Sequence, residues 1–196
     1  MRTRHDGDGL SGMNPQRLDM SQRRMVQGQR RIADSPRRIA DSPRRIALVS
    51  EHASPLAAPG GVDSGGQNIY VLHVARQLAN LGYSVDVFTR RDETRTPAIV
   101  TLARGLRVIQ VPAGPARPVP KEALLPHMGA FGQWLQGFMA RERRLGRPYG
   151  LVHANFFMSG LASLPACASL GLPLVMTFHA LGKVRRRHQG ARDGFP

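Results

Sequence analysis

Short apolar runs alternate with longer segments of mixed polarity from residue 45 onward. The apolar runs predict strands, because a strand buried on both faces is almost continuously apolar. They cover Arg45–Glu51, Ser84–Thr89, Leu106–Val111 with Ile99–Ala103 as its candidate neighbour, Gly150–Ala154 and Pro173–Phe178. The mixed segments predict helices over Gln67–Leu81, Lys121–Leu145 and Ser159–Leu170. Strands that alternate with helices predict an α/β fold, a single Rossmann-like domain with an open, mainly parallel sheet.

Two of the predicted helices carry a further expectation. The helix over Gln67–Leu81 is expected to bury one apolar face and to end at Gly82, which supplies a stop signal. The residues of that face are Ile69, Leu72, Ala75, Leu78 and Leu81. The helix over Lys121–Leu145 is expected to be broken near Gly129.

Residues 1–43 differ in composition from the rest and predict a disordered tail ahead of a domain at residues 44–196. Between Arg30 and Ala47 the chain reads RRIADSP twice and then begins a third copy, RRIA. A coiled coil needs two apolar positions per heptad, whereas here isoleucine alone recurs, and Pro36 and Pro43 interrupt any helix. An arginine-rich arm that binds RNA is the functional alternative, although no aromatic residue accompanies the arginine pairs.

The overall composition argues against a membrane span and favours the cytoplasm. A formal net charge of +15 is shared between tail and domain, and it fits a nucleic acid, a membrane surface or a phosphorylated ligand. No run of about 18 apolar residues occurs, and the N-terminus lacks the apolar segment of a secretory signal. The single cysteine, Cys167, cannot form an intramolecular disulfide and is expected to be a small buried residue.

The segment His52–Gly66 after the first predicted strand is a long loop that ends in glycines. Its last part, Ser64-Gly65-Gly66, brings backbone N–H groups to the start of a helix, where they favour an anion or a sugar oxygen. A mobile loop with a glycine hinge is the alternative. The spacing matches neither a Walker loop nor GxGxxG. DSGG also occurs around the nucleophile of trypsin-like proteases, but those have an all-β scaffold, whereas a helix follows here.

Two more segments leave the sheet at the same edge, and ligands in such folds bind beyond the carboxyl ends of the strands. HANFFMSG places His153 at the end of a strand, where it can hydrogen-bond a substrate hydroxyl or phosphate, with Asn155 following. TFHALGKVRRRHQG is predicted as a loop and contains His179, Lys183 and Arg185. Such cations and histidines favour a phosphorylated or nucleotide-activated ligand. A structural histidine at 153 and a solvated basic loop are the alternatives.

Six segments carry a resemblance to a known family, and they occur in the same order. They are IALVSEHASP (46–55), DSGGQNIYVLHVARQLANLGYSVDVFTRRD (63–92), VPAGPA (111–116), VPKEALLPHM (119–128), HANFFMSG (153–160) and TFHALGKV (177–184). Together they resemble the N-terminal half of the group 1, retaining glycosyltransferases of GT-B fold. The branch is that of the sucrose-phosphate synthases and the mycothiol-type glycosyltransferases, and the resemblance covers essentially all of residues 46–196.

The resemblance implies roles for the first two segments of the predicted site. Gly65, Gly66 and Gln67 correspond to the loop that lies against the reacting sugar and the donor phosphate. His153 corresponds to a histidine near the transferred sugar, and Asn155 belongs to the same segment. A nucleotide sugar is implied as co-substrate, with no further cofactor and no catalytic metal.

The resemblance places His179, Lys183 and Arg185 on the acceptor side, as candidates for binding an acceptor phosphate. Enzymes of this family have a second Rossmann-like domain that binds the nucleotide sugar and carries a Glu-x7-Glu pair. No such pair occurs in this sequence, so the chain is expected to be an acceptor-side half that needs a separate C-terminal half. The alternatives are a non-catalytic protein that binds sugar phosphates and, as the weaker one, an arginine-rich protein that binds nucleic acid.

Overall fold

The structure, a computed structural model, describes residues 45–57 and 66–192, with the backbone alone at Ala191. The tail predicted over residues 1–43 lies outside the described residues, so its disorder and the domain boundary at residue 44 stay predictions. Gly65 also lies outside them. No described helix is long and apolar enough to cross a lipid bilayer.

Six strands and four α-helices make up the described part of the chain. The strands are β1 (Arg45–Val49), β2 (Ser84–Arg90), β3 (Ile99–Ala103), β4 (Leu106–Val111), β5 (Leu151–Asn155) and β6 (Leu174–Thr177). The helices are α1 (Gly66–Asn80), α2 (Met128–Arg144), α3 (Phe157–Leu170) and α4 (Gly182–Gln189). Short 3₁₀ turns occupy Lys121–Ala123, Leu125–His127 and Gly190–Arg192. All six predicted strands are present: the four central strands β1, β2, β4 and β5 are largely buried, whereas the edge strands β3 and β6 are more exposed.

The six strands form one sheet in the order β3-β4-β2-β1-β5-β6. β1 pairs in parallel with β2 and β5, β2 pairs in parallel with β4, and β5 pairs in parallel with β6. β3 and β4 are antiparallel, with Ile99 opposite Ile109. The α/β prediction of an open, mainly parallel, Rossmann-like sheet is therefore confirmed.

The sheet carries a separate apolar core on each face, because its central strands are covered on both sides. On one face, α2 and α3 pack over side chains that include Val49, Phe88 and Val152. On the other face, α1 packs over Leu48 and Val87 with its own apolar residues. Cys167 of α3 is buried in the first of these cores, as expected. The two layers of helices leave the carboxyl edge of the sheet between them.

The buried face of α1 differs from the prediction. Asn68, Val71 and Ala75 are buried, whereas Ile69 and Leu81 are exposed. The predicted face repeats every three residues, but an α-helix turns once in about 3.6 residues, so such a row drifts by roughly 60° at each step. Ala75 is the one residue of the predicted face that is buried to the full extent.

Of two further predictions of local structure, one is confirmed and one is wrong. The helical segment expected over Lys121–Leu145 is interrupted next to Gly129, because two 3₁₀ turns end at His127 and α2 begins at Met128. The basic segment Thr177–Gly190 is not a loop throughout, because it contains α4. Lysine and arginine have high helix propensity, so this segment forms a helix without the apolar periodicity that sequence analysis uses.

Candidate functional site

The candidate site lies where the chain changes the side of the sheet on which it adds strands. From β1 the chain adds β2 and β4 on one side, and it then returns to add β5 and β6 on the other. In open α/β sheets such a switch leaves a crevice at the carboxyl ends of the two central strands. Those strands are β1 and β5 here, so Ser50, which follows β1, and Asn155, which ends β5, border the crevice.

Gln67 connects the first turn of α1 to both central strands. Its Nε2 donates to Ser50 Oγ at 3.2 Å and to the backbone oxygen of Asn155 at 3.4 Å. Ser50 Oγ in turn donates to the backbone oxygen of Ala53 at 3.0 Å. These bonds hold the start of α1, including Gly66, beside the crevice. The first N–H groups of a helix have no intrahelical acceptor, so they are available there to an anion or a sugar oxygen.

His153 lies on β5 and contacts the neighbouring strand. Its Nε2 lies 2.8 Å from Thr177 Oγ1 at the end of β6, and this hydroxyl lies 3.5 Å from the Tyr70 hydroxyl of α1. Burial lowers the pKa of His153, and the charge of His179 lowers it further. The imidazole is therefore neutral near pH 7, with one nitrogen that donates and one that accepts.

Asn155 joins the segments that contain the two predicted histidines. Its Nδ2 donates to the backbone oxygens of Val49 and His153, at 3.4 Å each. Its Oδ1 lies 3.1 Å from Nε2 of His179, which therefore carries the hydrogen of this bond. The residues connected in this way form what we call the switch-point network: Ser50, Gln67, Tyr70, His153, Asn155, Thr177 and His179.

His179 combines a lowered pKa with an unusual backbone. Burial lowers the pKa of His179 and the charge of His52 lowers it further, whereas Glu51 acts in the opposite direction. Its ring meets that of Tyr70 edge to face, with 5.0 Å between the centroids. The φ angle is 56° at His179 and 83° at Phe156, values that side-chain-bearing residues rarely adopt. Such strain persists where the surroundings enforce it and often marks a binding site.

Sequence reasoning missed two residues beside this network, Glu51 and His52. Glu51 is 1 % exposed, and its carboxylate accepts a hydrogen bond from Ser159 Oγ. Its Oε1 lies 2.8 Å from Nδ1 of His52, whose ring meets that of Phe156 edge to face at 5.0 Å. The sequence does hold a signal for both residues, because they directly follow a buried strand. The rule that ligands bind at the carboxyl ends of strands, which selects His153, would also select them.

The two remaining predicted site residues, Lys183 and Arg185, lie on α4. Lys183 is exposed and Arg185 is half-buried on α4, the helix that follows His179. Their role at an acceptor phosphate stays a prediction. Among residues 45–57 and 66–192, no three metal-ligating side chains lie together, and the expected metal independence also stays a prediction.

A cavity of about 390 Å³ lies at the opposite edge of the sheet. Its lining includes Tyr149, Gly150, Leu172 and Pro173, which come just before β5 and β6. The cavity is large enough for a small molecule, but none of the switch-point network lines it. The site residues that the sequence predicts are therefore at the carboxyl edge and not at this cavity.

The switch-point network presents uncharged groups next to a helix N-terminus. Imidazoles, amides and hydroxyls both donate and accept, which matches the hydroxyl groups of a sugar. The N-terminus of α1 adds backbone donors that favour a phosphate. The arrangement is suited to bind and orient a sugar or a sugar phosphate.

The sequence profile of Glycosyltransferase Family 4 matches residues 64–195, a range that includes the network from Gln67 to His179. The chain belongs to this family. It is 42% identical over 148 residues to D-inositol 3-phosphate glycosyltransferase 1 of Catenulispora acidiphila, a match that covers 76% of this chain and 34% of that protein. It is 41% identical over 141 residues to D-inositol 3-phosphate glycosyltransferase of Nocardiopsis dassonvillei, covering 71% of this chain and 32% of that protein.

The fold of this glycosyltransferase-family chain is also similar to that of a solved structure. Sucrose-phosphate synthase from Thermosynechococcus elongatus superposes with a TM-score of 0.69 at 32% identity, covering 76% of this chain and 37% of that one. The resemblance to the sucrose-phosphate synthase and mycothiol-type branch is thereby confirmed. The chain spans about a third of the length of the relatives it matches.

Proposed function

We propose that this chain is the acceptor-side domain of a retaining glycosyltransferase. The reaction moves a sugar from a nucleotide-sugar donor to a hydroxyl group of an acceptor that carries a phosphate. The observation that supports it is the switch-point network, which gathers Gln67, His153, Asn155 and His179 at one crevice. The relatives named for D-inositol 3-phosphate supply the acceptor class.

Each part of the network has a task in this proposal. The neutral His153 hydrogen-bonds a hydroxyl of the transferred sugar and orients it. Gly66 and the first turn of α1 direct backbone N–H groups at the donor phosphate, so that fixed donors stabilise the departing diphosphate. His179, with Lys183 and Arg185 on the following helix, faces the acceptor and binds its phosphate.

The donor side of the reaction is assigned to a separate C-terminal half. The donor domain of this family carries a Glu-x7-Glu pair, and residues 1–196 contain none. Transfer requires both substrates to be held in one cleft, so the chain alone is expected to be inactive. A nucleotide sugar then enters only when that half is present.

The test is sugar transfer to inositol 3-phosphate by a reconstituted pair. This chain is mixed with the C-terminal half of the Catenulispora acidiphila relative, and a panel of nucleotide sugars is offered. Product is expected from the pair and from neither half alone, and His153→Ala should reduce it by at least about a hundredfold, the usual scale for a lost transition-state contact. The relative's own N-terminal segment with the same C-terminal half is the positive control.

A non-catalytic protein that binds sugar phosphates is the second candidate. It is supported by the switch-point network itself, whose donors and acceptors suit a sugar phosphate whether or not transfer follows. The reconstituted pair separates the two candidates. If this chain binds inositol 3-phosphate but forms no product while the positive control does, the binding protein is correct and the transferase is not.

A further inference from the structure

A buried carboxylate lies at the switch point and takes no part in the network assigned to the substrates. Glu51 follows β1 and is almost completely inaccessible to solvent. Moving a carboxylate out of water is costly unless its oxygens receive hydrogen bonds. Oε2 accepts one from Ser159 Oγ in the first turn of α3, and Oε1 lies 2.8 Å from Nδ1 of His52.

The hydroxyl of Ser159 both accepts a hydrogen bond from Glu51 and donates one to it. The backbone N–H of Glu51 donates to Ser159 Oγ at 3.3 Å, while the serine hydroxyl donates to the carboxylate. A hydroxyl has a single hydrogen to donate, and Ser159 is fully buried, so it is not placed to serve a ligand. The two bonds fix the orientation of the carboxylate between β1 and α3.

His52 is the group through which this carboxylate reaches the crevice. An ionised carboxylate only accepts hydrogen bonds, so the contact with Oε1 requires a hydrogen on Nδ1 of His52. The side chain of His52 is 10 % exposed, and the edge-to-face contact with Phe156 restrains its ring. Among residues 45–57 and 66–192, Nε2 has no hydrogen-bond partner, so it is the ring nitrogen that we assign to a ligand.

We propose that Glu51 is a positioning residue, which holds His52 in the Nδ1–H form and so presents Nε2 as an acceptor for a hydroxyl of the sugar-phosphate ligand. The ligand class rests on the proposed function. Glu51 and His52 directly follow Ser50, whose hydroxyl accepts a hydrogen bond from Gln67, so both lie beside the switch-point network. A carboxylate that fixes the tautomer of a histidine is a common device where the other ring nitrogen must accept a hydrogen.

The tautomer of His52 tests the positioning role in the full chain without any ligand. Nitrogen-15 NMR of the neutral ring should show the hydrogen on Nδ1 in the unaltered protein. Glu51→Met removes both carboxylate oxygens at similar side-chain length and should move the hydrogen to Nε2. Glu51→Gln keeps an oxygen acceptor and should restore Nδ1–H. A His52 ring that stays Nδ1–H in Glu51→Met, or that is Nε2–H in the unaltered protein, overturns the proposal.

Binding of inositol 3-phosphate, measured by calorimetry, gives the second readout. Affinity should fall about tenfold in Glu51→Met, the effect of one well-oriented hydrogen bond, and should recover in Glu51→Gln. Glu142→Gln is the matched control, because it alters a buried carboxylate that pairs with Arg45 at the amino edge of the sheet. Equal losses in Glu51→Met and Glu142→Gln contradict the proposal.

The two readouts also separate this inference from the proposed function. If the tautomers respond as expected but the unaltered chain binds no inositol 3-phosphate, the assignment of the ligand class fails and the Glu51–His52 arrangement stands. If binding occurs but the tautomer does not depend on residue 51, the proposed function stands and the positioning role of Glu51 is wrong.

Discussion

His153 and His179 are held neutral by their surroundings, and this has a consequence for stability. For both residues burial lowers the pKa, and a neighbouring imidazole adds to the effect: His179 for His153, and His52 for His179. A neutral imidazole keeps one nitrogen that donates, as Nε2 of His179 does to Asn155 Oδ1, and one that accepts. Protonation removes the acceptor and places like charges close together.

The free energy of unfolding is therefore expected to depend on pH in the range where histidine titrates. Because the folded-state pKa of each residue lies below the unfolded value of 6.5, the unfolded chain binds more protons as the pH falls. The stability from the neutral rings is complete above this value and is lost as the pH falls through it toward the folded pKa. Urea denaturation at several pH values measures the slope.

His153→Gln should flatten this pH dependence, because one of the two neutral rings is gone. His73→Gln is the matched control, since it removes an exposed imidazole from α1 that lies outside the switch-point network. The same slope in the unaltered chain and in His153→Gln means that the imidazole of His153 does not contribute in this way.

Part of the candidate site could be predicted because its residues follow strands. Gln67, His153 and His179 come after apolar runs, and the topology of a parallel sheet brings such positions to one edge. Glu51 was not predicted, because its burial depends on Ser159, which is 108 positions away in the chain. Contacts between distant residues of this kind leave no local pattern in the sequence.

The packing of α2 against α3 depends on a close approach at one glycine. A Cβ atom at Gly132 would lie 2.5 Å from the backbone oxygen of Ala162, a distance that real Cβ atoms do not adopt. The two helices would have to move apart to accept it. Gly132→Ala is therefore expected to lower the free energy of unfolding by about 1–3 kcal/mol, the usual cost of overfilling a packed core. Thermal and urea denaturation measure it.

Gly137 in the same helix is the matched control, and its substitution by alanine is expected to change the free energy of unfolding in the opposite direction. A Cβ atom there meets nothing within 4 Å, and the residue is exposed. Gly137→Ala should raise the stability by up to about 1 kcal/mol, because alanine has the higher helix propensity. If both substitutions stabilise the protein, the α2–α3 contact is not as close as described.

The elements themselves were predictable to different degrees. The central strands were predicted well because burial on both faces leaves a largely apolar run, as in β1. The buried face of α1 was not, because a row of apolar residues spaced by three does not follow one side of a helix. α4 was missed because its composition is basic and its side chains are mostly exposed. The apolar periodicity of a helix comes from its buried face, so a helix that is exposed all round shows little of this periodicity.

At the scale of the whole molecule, the two edges of the sheet have different tasks. The carboxyl edge holds the switch-point network, while the amino edge holds a buried ionic cluster around Asp86. Its carboxylate accepts hydrogen bonds from Arg45 at 2.7 and 3.0 Å, from Arg107 at 2.8 Å and from the hydroxyl of Tyr149. The cluster ties together β1, β2 and β4 and the segment before β5. We expect it to contribute to stability and not to ligand binding.

Asp86→Asn tests this division. Burial alone would raise the pKa of Asp86, but the hydrogen bonds from Arg107 and Tyr149 and the charge of Arg45 outweigh it and lower that pKa. The contribution is therefore present above the unfolded value of 3.8 and is lost as the pH falls below it. Removing the charge leaves Glu142 as the remaining carboxylate beside the partly buried guanidinium groups of Arg45 and Arg107, which should cost about 3 kcal/mol at neutral pH.

The loss in Asp86→Asn should appear in urea denaturation at neutral pH. It should shrink as the pH falls below about 4, because Asp86 of the unfolded chain then binds a proton and the unaltered protein loses the contribution of this carboxylate. Arg147→Gln is the control, because its pair with Glu142 has a side chain that is 52 % exposed and should contribute less than about 1 kcal/mol. The affinity of folded Asp86→Asn for inositol 3-phosphate should equal that of the unaltered chain. A weakened affinity without a loss of stability would mean that the amino edge acts on the crevice and that the two tasks are not separate.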